Sequence, residues 1–205
     1  MTGAALNGLG PLGAEASYLV EALRRSVVLV QDGHGHGSGL IWESGGLIVT
    51  NHHVVAHERA RVELTSGEGY TAAVVARDPR NDLALLRVPA RDLPAPLLGD
   101  SAALRVGELI IAVGNPFGVR GTASLGIVSA IGNHTWMGKA RRELLQADVT
   151  LAPGSSGGPL ADAGGAVVGI ASMVLSPGIA VAVPAHVVQR FVARVTAGWA
   201  GGASV

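Results

Sequence analysis

Between Val27 and Val183 the chain offers no helical segment long enough to carry one strand over to a parallel neighbour. Short apolar or alternating runs follow one another instead, each closed by turn-forming residues. Parallel pairing needs a crossover of about a dozen residues or more, so the strands must pair antiparallel in a barrel or sandwich. In the first half the predicted strands are Val27–Val30, Gly39–Trp42, Leu47–Thr50, Arg61–Leu64, Thr71–Ala76 and Leu83–Val88. Thirty glycines without a regular period supply tight turns. Aromatic residues are only 3% of the chain against 48% hydrophobic, so the core is built from Val, Leu, Ile and Ala.

A stretch with two prolines and two aspartates, Arg91 to Gly107, reads as a connector. Beyond it the rhythm resumes at Leu109–Val113, Ala123–Ile131, Glu143–Val149, Pro159–Ala161, Ala166–Met173 and Ile179–Val183. Two sets of six strands predict an all-β double barrel. Leu19, Val20 and Leu23 recur at helical spacing within Ala16–Arg25, after a loose Gly- and Ala-rich start. Pro184 suits the first position of a second helix, whose face carries Val187, Val188, Phe191, Val192 and Val195. The divisions that follow are 1–25 for the N-terminal segment, 26–95 and 96–184 for the barrels, and 185–205 for the C-terminal helix and tail.

Basic and acidic residues balance at 15 each, with no basic block, so neither nucleic acid nor an anionic membrane surface is an expected partner. Cysteine is absent, which excludes disulfides and thiol catalysis. No run approaches the ~18 apolar residues of a membrane span. Residues 1–16 lack the basic start and apolar run of a secretory leader, a reading that by itself predicts a cytoplasmic chain.

Three stretches carry chemistry. In Pro153-Gly154-Ser155-Ser156-Gly157-Gly158-Pro159 a serine stands among glycines that let backbone N–H groups approach a substrate carbonyl. Gly154 and Ser156 are placed to supply two such donors to an oxyanion. Taken alone, the heptapeptide also fits a Gly/Ser-rich turn. Thr50-Asn51-His52-His53-Val54-Val55 ends an apolar strand, a rigid seat for a general base. Asp82 immediately precedes the apolar run Leu83–Leu86, where a carboxylate can hold a histidine in the tautomer that accepts a serine proton. A turn aspartate is its ordinary alternative. The chain order His53, Asp82, Ser156 is that of chymotrypsin, unlike the orders of subtilisin or the α/β-hydrolases.

These motifs, with Leu98-Gly99-Asp100-Ser101, Gly114-Asn115-Pro116-Phe117-Gly118, Gly126-Ile127-Val128-Ser129-Ala130 and Gly178-Ile179-Ala180-Val181-Ala182-Val183-Pro184, resemble the protease domain of the HtrA/Deg family. The likeness runs from about Ser26 to Val195 in the family's order. It implies a chymotrypsin-like double β-barrel with short terminal helices, and endoproteolysis of unfolded or misfolded polypeptides in protein quality control. No metal or organic cofactor is required. The family's base follows Thr-Asn-x and precedes Val-Val, which selects His53 over His52. A neutral imidazole must act as base, so activity is expected to rise with pH as that histidine loses its proton.

In the trypsin-like pattern an acidic residue six positions before the serine attracts Lys and Arg; here it is Thr150. The resemblance places Leu151 and Val174 as pocket walls with Met173 beside them, which suits small or medium aliphatic side chains before the scissile bond.

Departures from the family carry expectations too. The residues after Ser156 are too few for the PDZ domain that most relatives carry, and relatives are often periplasmic or secreted. Many trimerise through N-terminal aromatic contacts; Tyr18 is the only aromatic residue before Trp42, which leaves a homotrimer open. Ser155 stands where Asn is frequent, and the short Val30–Gly39 connection leaves no room for a long regulatory loop. Phe117–Ala123, Asp148–Gly154 and Val174–Gly178 match segments that switch activity in the family. Two other classes compete: a noncatalytic binder that keeps the cleft, and a metallohydrolase using His34 and His36. The complete Ser-His-Asp set speaks against the first, and the glycines around His34 and His36 predict a solvated turn instead of ligands. His57, His134 and His186 show no pattern and read as surface residues.

Overall fold

In the computed structural model, residues 10–33, 35–134, 142–176 and 178–200 are described. Helix α1 (Gly10–Ser26) leads into β1 (Val27–Asp32), β2 (Gly35–Glu43), β3 (Leu47–Thr50), β4 (Arg59–Leu64), β5 (Gly69–Asp78) and β6 (Leu83–Arg87). These close into an antiparallel barrel in the order β1-β2-β3-β6-β5-β4. After the connector come β7 (Leu109–Gly114), β8 (Thr122–His134), β9 (Arg142–Ala147), β10 (Pro159–Ala161), β11 (Val167–Ser176) and β12 (Ile179–Pro184). They close a second barrel, β10-β11-β12-β9-β8-β7, and α2 (Ala185–Ala200) follows. Read around the ring, both barrels have one topology, although no sequence repeat announces it.

All twelve predicted strands are present. Several elements begin a residue or two earlier than the sequence suggests, and two begin much earlier. Helix α1 starts at Gly10, not Ala16, with Pro11 in its first turn, where a fixed φ and a missing N–H cost nothing. Strand β2 starts at Gly35, pairing His36 with Gln31, because backbone bonds to β1 hold a segment with no apolar signal. His36 therefore lies on a strand, not in a mobile turn; His34 lies outside the described residues.

Period-two alternation explains why several strands are apolar on both faces. In β6, Ala84 and Leu86 point into the first barrel, while Leu83 and Leu85 join a cluster between the barrels. Strand β3 does the same, with Ile48 inward and Leu47 and Val49 outward. Across the seam Ile110 and Ala112 of β7 fill the second barrel, and Ile111 and Val113 meet the first. Leu23 of α1 and Val188 and Phe191 of α2 cap the shared cluster. Burying such side chains stabilises by roughly 1.5–3 kcal/mol each. Three cores thus hold the two barrels face to face.

Candidate active site

The turn after β3 carries the histidine. Asn51 Nδ2 donates to the Asp82 carbonyl at 2.9 Å and His52 N to the same oxygen at 3.1 Å. The 3₁₀ turn His52–Val54 is thereby fastened to the start of β6. Asp82 has φ +57°, the left-handed region in which Asp is enriched. It is 9% exposed and turns its carboxylate back toward the histidine.

His53 Nδ1 lies 2.8 Å from Asp82 Oδ2, and His53 N donates to Oδ1 at 3.1 Å. Ser172 Oγ on β11 donates to Oδ2 at 2.6 Å. Burial alone would push the Asp82 carboxyl up, but the hydrogen bonds from His53 and Ser172, with the charge on His53, outweigh it and hold the group below the usual carboxylate range. Of the adjacent histidines, His53 has the carboxylate, while the buried His52 Nδ1 has no partner among the described residues.

Ser156 sits on the turn leading into β10, and barrel-one backbone clamps it through Ser38 N donating to the Ser156 carbonyl at 2.8 Å. Its hydroxyl donates to the Ser172 carbonyl at 2.9 Å and makes no hydrogen bond with His53. Bonds between a serine and its base are often long or absent before substrate binds. The glycines are dictated by crowding. A Cβ on Gly157 would fall 2.0 Å from the Ser38 carbonyl oxygen, and its φ is +89°. One on Gly158 would fall 2.2 Å from the Val113 carbonyl oxygen.

Ser155 N donates to the Ala152 carbonyl at 2.9 Å, closing a turn with Pro153 and Gly154 at its centre. Gly154 has φ +102°, so the turn is type II. Two further bonds orient its peptides. Phe117 N donates to the Pro153 carbonyl at 2.9 Å, and Ser38 Oγ donates to the Gly154 carbonyl at 2.8 Å. With both carbonyls turned away and held, the N–H groups of Gly154 and Ser156 meet no acceptor among the described residues. Ser38 Oγ in turn accepts from Asn115 N at 2.8 Å, so one hydroxyl joins the two barrels at this point.

Beside Ser156 a cleft of about 170 Å³ is walled by Leu151, Met173 and Val174, and its remaining lining is Ala152, Pro153, Ser155 and Ser156. The three pocket residues named from sequence therefore share one cavity, and no charged side chain enters it. Thr150 is exposed and outside the lining. Of the segments expected to switch, the first two touch through Phe117 and Pro153, and Ser124 Oγ donates to the Thr150 carbonyl at 2.8 Å. The third runs through residue 177, outside the described residues.

Ser38, Asn115 and Ser172 were not anticipated. The visible signals are Ser172, a lone hydroxyl in the apolar run Val167–Val174, and Asn115, inside the Gly114–Gly118 motif. His186 is not a surface residue: Ser101 Oγ lies 2.7 Å from its Nδ1 and Glu143 Oε1 2.7 Å from its Nε2, with the side chain 20% exposed. It locks the start of α2 onto the connector and β9. His57 is exposed but paired, its Nδ1 2.5 Å from Asp32 Oδ1. The side chain of His134 lies outside the described residues. Among the described residues no cluster of three or more His, Asp or Glu is arranged to hold a metal.

Residues 37–170 match the family described as a trypsin-like peptidase domain. The chain is 37% identical over 186 residues to serine protease HTRA1B of Danio rerio, covering 88% of this chain and 39% of that protein. It is 40% identical over 164 residues to mitochondrial serine protease HTRA2 of Bos taurus, covering 78% and 36%. It thus spans well under half the length of these relatives. Among solved structures, the HtrA-type protease AlgW with a tripeptide superposes with a TM-score of 0.82 at 33% identity, covering 85% of this chain and 61% of that one. A serine endoprotease from Yersinia pestis superposes at 0.80 and 29% identity, covering 88% and 66%. With its paired six-stranded barrels and His53, Asp82 and Ser156 gathered at their junction, the chain belongs to the trypsin-like peptidase family, among the HtrA/Deg serine proteases.

Proposed function

We propose that the chain is a serine endopeptidase that cuts unfolded or misfolded polypeptides after small or medium aliphatic side chains, in protein quality control. The observation that carries this reading is the meeting, at the junction of the barrels, of a carboxylate-bound imidazole, a serine hydroxyl and two N–H groups without acceptors among the described residues. His53 takes the proton as Ser156 Oγ attacks the peptide carbonyl, and the N–H groups of Gly154 and Ser156 stabilise the oxyanion. Asp82 holds the tautomer and stabilises the imidazolium, which then protonates the leaving amine. Water repeats the sequence to release the acyl group.

The uncharged cleft of Leu151, Met173 and Val174 supports aliphatic specificity, since a basic side chain there would meet no carboxylate. The test is cleavage of casein by the protein and by Ser156→Ala, with a fluorophosphonate probe on both. Cleavage and labelling by the parent alone support the assignment, with termini dominated by Val, Ala, Leu or Met. Labelling that persists in Ser156→Ala, or a product profile dominated by Arg, contradicts it.

A further inference from the structure

A second depression lies beyond the Ser156 cleft. It has a volume of about 370 Å³ and is bounded by the Asp78–Asn81 turn, the start of β9 and the outer face of α2. Four arginines line it: Arg80, Arg142, Arg190 and Arg194. Its two carboxylates are already engaged. Glu143 is 2.7 Å from His186 Nε2 and 3.4 Å from Arg190, while Asp78 accepts from Asn81 Nδ2 at 2.8 Å and lies 3.5 Å from Arg194. Arg80 and Arg142 meet no carboxylate among the described residues, and the Arg142 guanidinium donates to the Arg80 carbonyl at 2.8 Å. Four cations against two anions leave the depression positive.

Its position gives this charge a use. Met173 lines the Ser156 cleft and also a small apolar crevice with Leu144 and Val181. Asn81 and Arg142 line both that crevice and the arginine depression. Shared lining residues thus link the three hollows in succession from Ser156 toward Arg80. Strand β11 borders the first: β10 pairs with β11 no further than Ile170, so the edge at Met173 and Val174 that faces Ser156 carries no strand. An extended peptide can add there through its backbone, placing the residue before the scissile bond among Leu151, Met173 and Val174 and its upstream residues toward Arg80.

We propose, resting on the endopeptidase reading above, that this depression is an exosite for acidic side chains several residues upstream of the cleaved bond. Arginine forks suit carboxylates, and partly exposed pairs contribute modestly one by one. Two or three together are expected to favour an acidic substrate about tenfold at low salt.

The test uses three fluorescent peptides sharing one aliphatic cleavage site: a Glu block upstream, Gln in the same places, and the Glu block moved downstream. Binding is read by anisotropy on the Ser156→Ala protein, and cleavage on the active one. The expected result is that the upstream-Glu peptide binds about tenfold tighter than its Gln counterpart, less so as salt rises. That preference disappears in Arg80→Gln/Arg190→Gln, while cleavage of the Gln peptide is unchanged. Should the double variant fold poorly, Arg80→Gln alone, at an exposed side chain without a partner among the described residues, must lower the ratio. Equal affinities, no measurable binding of the upstream-Glu peptide, a preference that survives the variants, or equal benefit from downstream Glu each overturn the exosite. The two readings fail separately: cleavage without acid preference removes the exosite alone, and acid-selective binding without cleavage removes the endopeptidase.

Discussion

Replacing Ser172 with Ala deletes one donor to a buried carboxylate and almost nothing else. Ser172 is 4% exposed, its Oγ donates to Asp82 Oδ2 at 2.6 Å, and removing one oxygen leaves no sizeable cavity. A hydrogen bond to a charged group contributes roughly 1.5–3 kcal/mol, so Ser172→Ala should lower stability by about that amount at neutral pH. The sign with pH follows from the depressed carboxyl of Asp82. A group whose folded pKa lies below its unfolded value, near 4 for Asp, stabilises the fold above that value. The contribution is lost as pH falls through the folded pKa. Without Ser172 the carboxyl titrates higher, so the gap between parent and variant should be full at pH ~7 and, at a pH well below the unfolded value near 4, shrink toward that of a neutral hydrogen bond, about 1 kcal/mol. Urea unfolding at both pH values measures it. An equal loss at both would show that Ser172 acts through packing alone, and no loss at neutral pH would refute its charge-assisted role. Turnover should fall less than on removal of Asp82, because both bonds from His53 to the carboxylate survive.

Asp82→Asn should keep the fold yet lower kcat by about 10⁴, by holding the wrong imidazole tautomer; steady-state kinetics on a peptide substrate read it, and a loss under tenfold would deny Asp82 the orienting role. His53→Ala should lower kcat by roughly 10⁶ while His52→Ala keeps most activity, and equal losses in two folded variants would undo the choice between them. Gly157→Ala should not reach a stable native state, since its Cβ would fall 2.0 Å from the Ser38 carbonyl oxygen at a φ of +89°; an unchanged melting temperature would contradict that crowding. Ser38→Ala frees the Gly154 carbonyl and should lower kcat about 10- to 100-fold with little change in KM, so a change confined to KM would place Ser38 in substrate binding instead.

The strands were legible because short apolar runs between turn formers have few alternatives, and even Leu47–Thr50 and Pro159–Ala161 have the predicted bounds. The site was legible where chemistry demands a residue type: a serine among glycines, a histidine after a strand, an aspartate before one. What escaped was contact between segments distant in sequence. Ser38 stands 116 positions from the carbonyl it holds, and Ser172 stands 90 from its carboxylate. Neither spacing leaves a local pattern. His186 was misread for the same reason, since Ser101 and Glu143 reach it from the connector and β9. Asp82 looked like a turn aspartate and is one, with φ +57°, but the same turn aims its carboxylate at His53.

The division of the site between barrels explains why its supports are polar and its surroundings are not. His53 and Asp82 come from the first barrel, and Ser156 and Ser172 from the second, so their alignment depends on how the barrels sit together. The aliphatic cluster of Leu40, Leu85, Ile111 and Val183 supplies cohesion but little register, because apolar contact is non-directional. Arg120 to Glu63 and Arg142 to the Arg80 carbonyl cross the seam at its exposed rim. The inner register comes from Ser38 to Ser156 and Gly154, Asn115 to Ser38 and Val28, and Ser172 to Asp82. Each of these inner bonds ends on a group of the site or one bond away from it. The inner bonds that set the angle between the barrels are thus the ones that orient the carboxylate, the serine and the two free N–H groups. A shift at the seam therefore reaches the candidate site directly, without passing through either barrel's core.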